Sequence, residues 1–238
     1  MNFPAISPYA WLMIVGILGS AAAWAWMFRA KRETTGRLLI VYCGALLGAL
    51  IGAKLAFLIA EGWHYRDNMI ALLSGRSITG GLLGGYAGVE ITKKILGITG
   101  TTGDRFALIV PAALAIGRVG CLLQKCCPGV PCTPAWWTIV DAHGDHRWPA
   151  ALVEFAFNIV FFLWAMLATR FNWLPGNRFH MYLIAYGVFR FAHEFARANV
   201  NWFGGISGYH LLAIAMVVLG AVRMWQRNRG NICLVPAG

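Results

Sequence analysis

Long apolar runs alternate with short polar segments along the whole chain. Each run is close to the roughly 20 residues that an α-helix needs to cross the hydrocarbon core of a bilayer. Seven spans are predicted, at residues 8–28, 38–60, 78–97, 105–124, 149–169, 179–196 and 207–225. We therefore expect an all-α protein, a polytopic membrane helical bundle of about seven transmembrane helices.

The connections between the predicted spans are short, and none has the composition of a linker. Residues 1–238 are therefore predicted to form a single integral-membrane domain, with a short outward-facing segment around residues 126–148. Residues 62–77 contain a Trp-His-Tyr-Arg sequence, and these residue types favour the level of the lipid headgroups. We expect that segment to lie at the outer membrane interface.

The composition supports a membrane protein. Of the 238 residues, 59% are hydrophobic and only 12% are charged, whereas soluble domains contain about 25% charged residues. Tryptophan marks membrane interfaces and glycine allows close helix packing, and the chain has 11 and 28 of them. This composition excludes an ordinary soluble domain.

The chain is basic, with a formal net charge of +11. Its Lys and Arg residues are scattered between apolar runs, so nucleic acid is not a predicted partner. Basic loops of membrane proteins face the cytoplasm. The more basic set of loops contains Arg29, Lys31, Arg32, Arg37, Lys93, Lys94, Arg105, Arg170, Arg178, Arg223, Arg227 and Arg229. This bias predicts an N-terminus outside and a C-terminus in the cytoplasm.

Three of the six cysteines, Cys126, Cys127 and Cys132, fall on the outward side of this topology. An oxidising compartment permits disulfides. One interpretation is therefore a bond from Cys132 to Cys126 or Cys127, and free structural thiols are another. These cysteines have no His or Cys partner pair at zinc-finger spacing, and adjacent Cys-Cys is not a usual CxxC pair, so no metal site is predicted.

Charged residues inside the predicted spans are the candidates for chemistry, because a charge at membrane depth costs at least about 2.5 kcal/mol. Arg118 is one of them, in the sequence Gly-Arg-Val-Gly-Cys that starts at Gly117. Tyr186, Arg190 and Glu194 follow one another at intervals of four residues. They are therefore predicted to share one face of a helix.

The outward half of the bundle is predicted to contain more arginines than carboxylates. The arginines are Arg118, Arg147, Arg190 and Arg197, and the carboxylates are Glu154 and Glu194. Ion pairs that served only to neutralise charge would leave no such excess. Because the guanidinium fork matches a phosphate with two hydrogen bonds, the predicted ligand is an anion, and a phospholipid headgroup is the nearest one.

Five short motifs resemble those of a known family. They lie at residues 52–55, 79–84, 117–129, 147–154 and 186–197. In this order they are similar to the Gly-Ala-Arg-Leu, His-Gly-Gly-Leu, Gly-Arg-x-Gly-Asn-Phe-x-Asn-x-Glu-x-x-Gly, Arg-His-Pro-Ser-Gln-Leu-Tyr-Glu and Tyr-Gly-x-x-Arg-x-x-x-Glu-Phe-x-Arg segments of prolipoprotein diacylglyceryl transferases. No single motif is specific for the family, but the five motifs in this order are. The chain therefore resembles a divergent member of that family.

The resemblance implies transfer of a diacylglyceryl group, or of the headgroup, from phosphatidylglycerol to an acceptor, which in the family is a cysteine thiol of a secreted preprotein. Arg118, Arg190 and Tyr186 match catalytic positions of the family, and the two arginines are expected to bind one phosphate in a cavity open to the outer leaflet. Substrate-binding positions are expected at Thr79, Gly80, Gly81, Gly117, Gly120, Cys121, Arg147, Glu154, Glu194, Arg197 and His210. The implied partners are phosphatidylglycerol and the bacterial inner membrane, with no cofactor.

The chain departs from the family pattern where the acceptor would be handled. Thr79 stands where the family has His, Cys121 where it has Asn, and Cys126 where it has Glu. A threonine hydroxyl cannot act as a base near neutral pH. Other candidates for a base are His146, His193 and His210.

Three functions stay open on the sequence. The first is a phosphatidylglycerol-dependent transferase with an unidentified acceptor. The second is a catalytically silent phospholipid-binding or membrane-assembly protein on the same fold. The third is an outward-facing thiol redox or metal-handling protein that uses Cys126, Cys127 and Cys132.

Overall fold

A computed structural model of the protein describes residues 14–16, 18–19, 21–22, 35–124, 126–127, 129–141 and 143–232. The first predicted span, residues 8–28, falls mostly outside these described residues. The short pieces of it that are described, within residues 14–22, are helical.

Helices dominate the described chain. They are α1 (Thr35–Phe57), continued by a π-helical turn (Leu58–Gly62), α2 (Met69–Ser74), α3 (Ile78–Leu96), α4 (Gly103–Leu123), α5 (Ala150–Arg170), α6 (Arg178–Glu194) and α7 (Gly208–Ile232). Two short antiparallel strands, β1 (Ile139–Val140) and β2 (His146–Arg147), form a hairpin before α5. The predicted helical membrane bundle is confirmed, and six of the seven predicted spans coincide with helices to within a few residues, except that α7 is longer.

Four helical segments of the described chain are long and apolar enough to cross a membrane. They are Gly36–Gly62, Gly103–Leu123, Ala150–Arg170 and Gly208–Arg229. The third and sixth predicted spans form α3, which contains Glu90, Lys93 and Lys94, and α6, which has only 17 residues. The count of seven spans therefore stays a prediction.

The chain divides into two compact units. Unit 1 comprises Gly103–Arg178 and Ala196–Ala198 with the described residues before Ala30. Unit 2 comprises Lys31–Thr102, Phe179–Phe195 and Asn199–Gly238, as far as these are described. The prediction of a single integral-membrane domain stays a prediction.

In unit 2, α1 and α3 approach so closely that their contact positions must be glycine. Gly44, Gly48 and Gly52 of α1 face Gly80, Gly84 and Gly88 of α3. A Cβ atom added at Gly52 would lie 2.7 Å from the Gly84 Cα, which no real Cβ contact tolerates. Small residues four apart produce this close packing in membrane helices. The contact fixes the start of α3, where Ser77 caps the helix.

The segment between α1 and α3 contains a turn and the short helix α2. Its apolar side chains are exposed, as at Trp63, Ile70 and Leu73. Lys54 Nζ donates to the Leu73 carbonyl at 3.0 Å and also to the Leu72 carbonyl. Lys54 therefore satisfies the C-terminal carbonyls of α2, and the interfacial placement of the segment stays a prediction.

In unit 1, α4 packs against α5, and the outward-facing segment of the sequence prediction forms a small β-structure beside them. Val130 N donates to the Ala196 carbonyl at 3.0 Å, and Trp148 N donates to the Val130 carbonyl at 3.0 Å. An isolated bridge also pairs Gly129 with Arg197. These backbone hydrogen bonds hold Arg197 in unit 1.

Candidate functional site

The centre of unit 1 is a buried carboxylate shared by two arginines. Arg118 Nη2 donates to Glu154 Oε1 at 2.7 Å, and Arg197 Nη1 lies 3.6 Å from Glu154 Oε2. The Glu154 side chain is 0% exposed, and those of Arg118 and Arg197 are 6% and 11% exposed. In the part of the chain that the structure describes, these two guanidinium groups share a single carboxylate.

Three different elements bring these charges together. Arg118 lies in the penultimate turn of α4, and Glu154 lies in the first turns of α5. Arg197 follows α6 and is held by its strand-like pairing with Gly129. All three side chains are candidates in the sequence, but only the fold shows that Glu154 is the common partner of Arg118 and Arg197.

A cluster of three thiols lies beside Arg118. The Sγ atoms of Cys121, Cys126 and Cys127 all lie within 4.8 Å of one another. Arg118 Nη1 donates to Cys121 Sγ at 3.8 Å. Side-chain hydrogen bonds from Cys121 and Cys126, reinforced by the charges of Arg197 and Arg118, lower the pKa of Cys127 below its usual range. The pKa of Cys126 is raised, chiefly by its hydrogen bonds with the other two thiols and by burial.

The disulfide expected from Cys132 is not formed in the structure, where Cys121, Cys126, Cys127 and Cys132 are free. Cys132 belongs to the β-structure, because its N–H donates to the His146 carbonyl at 3.0 Å. The third thiol of the cluster, beside Cys126 and Cys127, belongs to Cys121 in the last turn of α4. Sequence spacing did not indicate this group.

Unit 2 contains a second buried polar network. Arg190 Nη2 lies 2.6 Å from Glu194 Oε2, one turn further along α6. Glu194 Oε1 accepts hydrogen bonds from Ser207 Oγ at 3.0 Å and from Asn199 Nδ2 at 2.5 Å. Arg190 Nη1 is buried without a hydrogen-bond partner among the described residues. The predicted pairing of Arg190 with Glu194 is therefore present, with one donor of the fork still available.

His210 extends this network, and the backbone N–H that it accepts assigns the tautomer of its ring. Ser207 N donates to His210 Nδ1 at 3.0 Å, so Nδ1 is an acceptor and the ring proton lies on Nε2. The ring contacts Phe191 and Phe195, and Nε2 is buried without a hydrogen-bond partner among the described residues. His210 is therefore arranged as a hydrogen-bond donor.

Tyr186 lies one turn before Arg190 and is fully buried. Its ring contacts those of Tyr182 and Phe189, with ring centroids 5.7 and 6.1 Å apart. These aromatic contacts lie within α6 itself, between side chains three and four residues apart. The helical alignment of Tyr186, Arg190 and Glu194 that the sequence predicted is present in α6.

Arg147 occupies a different environment from the one expected. Its Nε lies 2.8 Å from Asp141 Oδ2, and its Nη2 lies 3.6 Å from Asp145 Oδ2, both in the hairpin. The comparison of arginines with carboxylates in the sequence did not include these two aspartates. Because they pair with Arg147, the excess of arginines over carboxylates is one smaller than expected. The remaining excess is concentrated at Arg118 and Arg197.

The glycine-rich motif at the start of α3 has a packing role. Thr79 is buried, and its hydroxyl lies 2.7 Å from Ser77 Oγ. A Cβ at Gly80 would collide with Ala56 and Gly52, whereas one at Gly81 would make ordinary contacts at 3.6 and 3.7 Å. Gly117 and Gly120 lie in α4 on either side of Arg118. Their role in substrate binding stays a prediction.

Three polar residues of unit 2 were not predicted from the sequence, and two of them, Glu61 and Ser207, are buried. Ser207 and Asn199 both hydrogen-bond to Glu194. Glu61 lies in the π-helical turn and accepts a hydrogen bond from Val200 N at 3.3 Å. An acidic residue at the end of an apolar run was a signal for Glu61, but nothing in the sequence distinguished Ser207 or Asn199.

Comparison with known proteins identifies a family whose profile matches this chain. A family profile described as prolipoprotein diacylglyceryl transferase matches residues 1–226. Three relatives are each named phosphatidylglycerol–prolipoprotein diacylglyceryl transferase. The one from Rhodospirillum rubrum is 27% identical over 273 aligned positions, covering 100% of this chain and 98% of the relative. Those from Bordetella bronchiseptica and Cupriavidus metallidurans are both 29% identical, covering 93% and 78% of this chain and 95% and 74% of the relatives.

Proposed function

The chain belongs to the prolipoprotein diacylglyceryl transferase family, and we propose that it is a phosphatidylglycerol-dependent diacylglyceryl transferase. The relatives are named for phosphatidylglycerol as donor and a prolipoprotein as acceptor. We propose the same donor for this chain, and the cysteine thiol of a secreted preprotein as the acceptor.

The observation that supports the proposal most is the shared carboxylate of unit 1. Glu154 is the one carboxylate that the described residues place in ion pairs with Arg118 and Arg197. A buried positive charge in a membrane protein needs an anionic partner. A phosphodiester supplies that charge together with oxygen acceptors for the guanidinium groups.

Unit 2 offers two further donors. Arg190 Nη1 and His210 Nε2 are buried and have no hydrogen-bond partner among the described residues. Leaving a buried donor unpaired costs about 1–3 kcal/mol, and a headgroup oxygen would remove that cost. Because Arg118 belongs to unit 1 and Arg190 to unit 2, their binding to one phosphate stays a prediction.

The acyl chains of such a donor need an apolar surface. A groove between α6 and α7 is lined by Val188, Phe191, Ile214, Val217 and Val218. Phe191 also contacts the His210 ring, with centroids 5.0 Å apart. We propose that one acyl chain follows this groove.

The proposed reaction is a displacement at carbon. The acceptor sulfur forms a bond to the glyceryl carbon, the bond from that carbon to the phosphate oxygen breaks, and glycerol phosphate leaves with the electron pair. The arginines stabilise the charge that develops on the leaving phosphate. The thiol proton ends on glycerol phosphate, whose second pKa lies near 6. Since His210 Nδ1 already accepts the Ser207 N–H, His210 acts in this scheme as a donor to the headgroup.

Release of glycerol phosphate tests the proposal. The full chain, purified in detergent or nanodiscs, would be incubated with phosphatidylglycerol labelled in its headgroup and with a peptide that carries a prolipoprotein cysteine. We expect the amount of released label to equal the amount of thioether formed on the peptide. Arg66→Ala, which alters an exposed arginine, should release as much label as the wild type.

The second candidate is a silent phospholipid-binding protein on the same fold. Thr79, in place of the family's His, is buried and lies within hydrogen-bonding distance of Ser77. Phosphatidylglycerol binding without release of label, in the presence of the peptide, would favour this candidate over the transferase.

We also propose that the protein lies in the bacterial inner membrane with its N-terminus outside and its C-terminus in the cytoplasm. The basic residues near the end of α7, Arg223, Arg227 and Arg229, support this orientation. A reporter that functions only in the cytoplasm should be active when it is fused after Arg229, and a reporter that requires the periplasm should be inactive there. Activity of a reporter that requires the periplasm would contradict the proposed orientation.

A further inference from the structure

We propose that Cys121, Cys126 and Cys127 form a binding site for a soft, thiophilic cation of the d10 class, such as Zn²⁺ or Cu⁺. Their three Sγ atoms lie within 4.8 Å of one another. Thiolate ligands select ions of this class over hard cations such as Mg²⁺. The site adjoins the proposed phosphate site, because Arg118 contacts Cys121 and also pairs with Glu154.

The sulfur spacing fits a metal site after a small closure. A tetrahedral Zn–S bond of about 2.3 Å places two ligand sulfurs roughly 3.8 Å apart. The longest separation in the cluster is at most 4.8 Å. Side-chain rotation of a partly exposed cysteine can supply the difference of about 1 Å, and Cys126 and Cys127 are both partly exposed.

The backbone is shaped to bring the three thiols together. Cys121 lies in the last turn of α4, and the chain then folds back so that Cys126 N donates to the Cys121 carbonyl at 3.1 Å. Cys127 has a φ of 60°, in the left-handed region that residues with a side chain rarely adopt. Such strain is typical of functional sites. In this conformation the Cys127 Sγ atom lies within 4.8 Å of the Cys121 Sγ atom.

The neighbouring charges match a thiolate site. Three thiolates and a cation of charge +1 or +2 have a net negative charge, which Arg118 and Arg197 can offset. Arg118 Nη1 already donates to Cys121 Sγ at 3.8 Å. A hydrogen bond to a metal-bound sulfur orients the ligand and is a regular part of metal sites.

A disulfide explains the cluster less well. Consecutive Cα atoms are about 3.8 Å apart, whereas a disulfide needs about 4.4–6.8 Å, so Cys126 and Cys127 cannot pair with each other without strain. A bond from Cys121 to either of them would leave the third thiol unused. A metal uses all three sulfurs, and for Zn²⁺ it leaves a fourth position for water or a substrate.

Metal titration of the full chain tests the site. The protein would be purified in detergent with a non-thiol reductant, and loaded without oxygen with Zn²⁺ or Cu⁺ against a competing chelator. We expect one equivalent of either ion to bind, and no competition from excess Mg²⁺. Bound metal should also protect three of the six cysteines from a thiol reagent.

Matched variants locate the ligands. Cys126→Ser and Cys127→Ser should each weaken binding at least tenfold, whereas Cys132→Ser and Cys43→Ser, outside the cluster, should bind as the wild type does. Helix content and elution volume identify variants that fail to fold. The number of cysteines that metal protects in the wild type tests the site without using any variant. No stoichiometric binding by the reduced wild type, or equal binding by a folded Cys127→Ser variant, would overturn the proposal.

Discussion

Glu154 is the residue on which the charge balance of unit 1 depends. It is completely buried and lies between Arg118 and Arg197. Removing one partner of a buried ion pair leaves the other charge uncompensated, which costs about 3–5 kcal/mol. The same geometry makes Glu154 a positioning residue for both arginines.

The change Glu154→Gln should therefore destabilise the protein by about 3–5 kcal/mol in the absence of an anion. Thermal unfolding in detergent measures this, with Asp145→Asn as the control. The Asp145 side chain is 65% exposed and 3.6 Å from Arg147, so that change should cost no more than about 1 kcal/mol. Equal losses in the two variants would mean that Glu154 is not the buried partner of the two arginines.

Cys127 should be the most reactive thiol of its cluster at mildly acidic pH. Its pKa is lowered by hydrogen bonds from Cys121 and Cys126 and by the nearby arginines. The reactive thiolate therefore persists as the pH falls below the usual range for cysteine, and it is lost only when the pH falls through the lowered pKa. Alkylation of metal-free protein at pH 6, followed by fragment mass spectrometry, should modify Cys127 before Cys126. Preferential labelling of Cys126 would contradict this assignment.

At the scale of elements, hydrophobic runs predicted helices well because a bilayer sets their length and composition. The predicted span at 105–124 corresponds to α4, Gly103–Leu123, and the one at 149–169 corresponds to α5, Ala150–Arg170. The hairpin was not predicted, because β1 and β2 have two residues each and no alternating pattern. The π-helical turn at Leu58–Gly62 was not predicted either, because an apolar run that ends in Glu61 does not distinguish a π-helical turn from an α-helical one.

The contact between α1 and α3 gives a prediction at this scale. A Cβ at Gly84 would lie 2.7 Å from the Gly52 Cα, whereas one at Gly85 would make ordinary contacts at 3.4 and 3.5 Å. Gly84→Ala should therefore force the helices apart and cost about 1–3 kcal/mol. Thermal unfolding compares it with Gly85→Ala, which should change stability by less than half as much. Similar stability of the two variants would show that the helices are not in backbone contact at Gly84.

At the scale of the whole molecule, the sequence was sufficient to identify the family and to predict most charged residues of the site. Ordered motifs survive divergence, and arginines inside apolar runs are easily recognised. The partners of those arginines were harder to predict, because pairing depends on the fold. Arg147 was expected at the site and pairs with Asp141 instead, while Ser207 reaches Glu194 through a loop without any motif.

The central claim is that buried arginines hold the phosphate of phosphatidylglycerol. Its most direct test is the affinity of the wild type, Arg118→Ala, Arg190→Ala and the exposed control Arg66→Ala for phosphatidylglycerol in nanodiscs. Each buried arginine should contribute about 1.5–3 kcal/mol through its charge-assisted hydrogen bonds, so its loss should weaken binding roughly 10- to 150-fold. Arg66→Ala should bind as the wild type does. Equal affinity in all four proteins would show that Arg118 and Arg190 only neutralise Glu154 and Glu194, and it would contradict the claim.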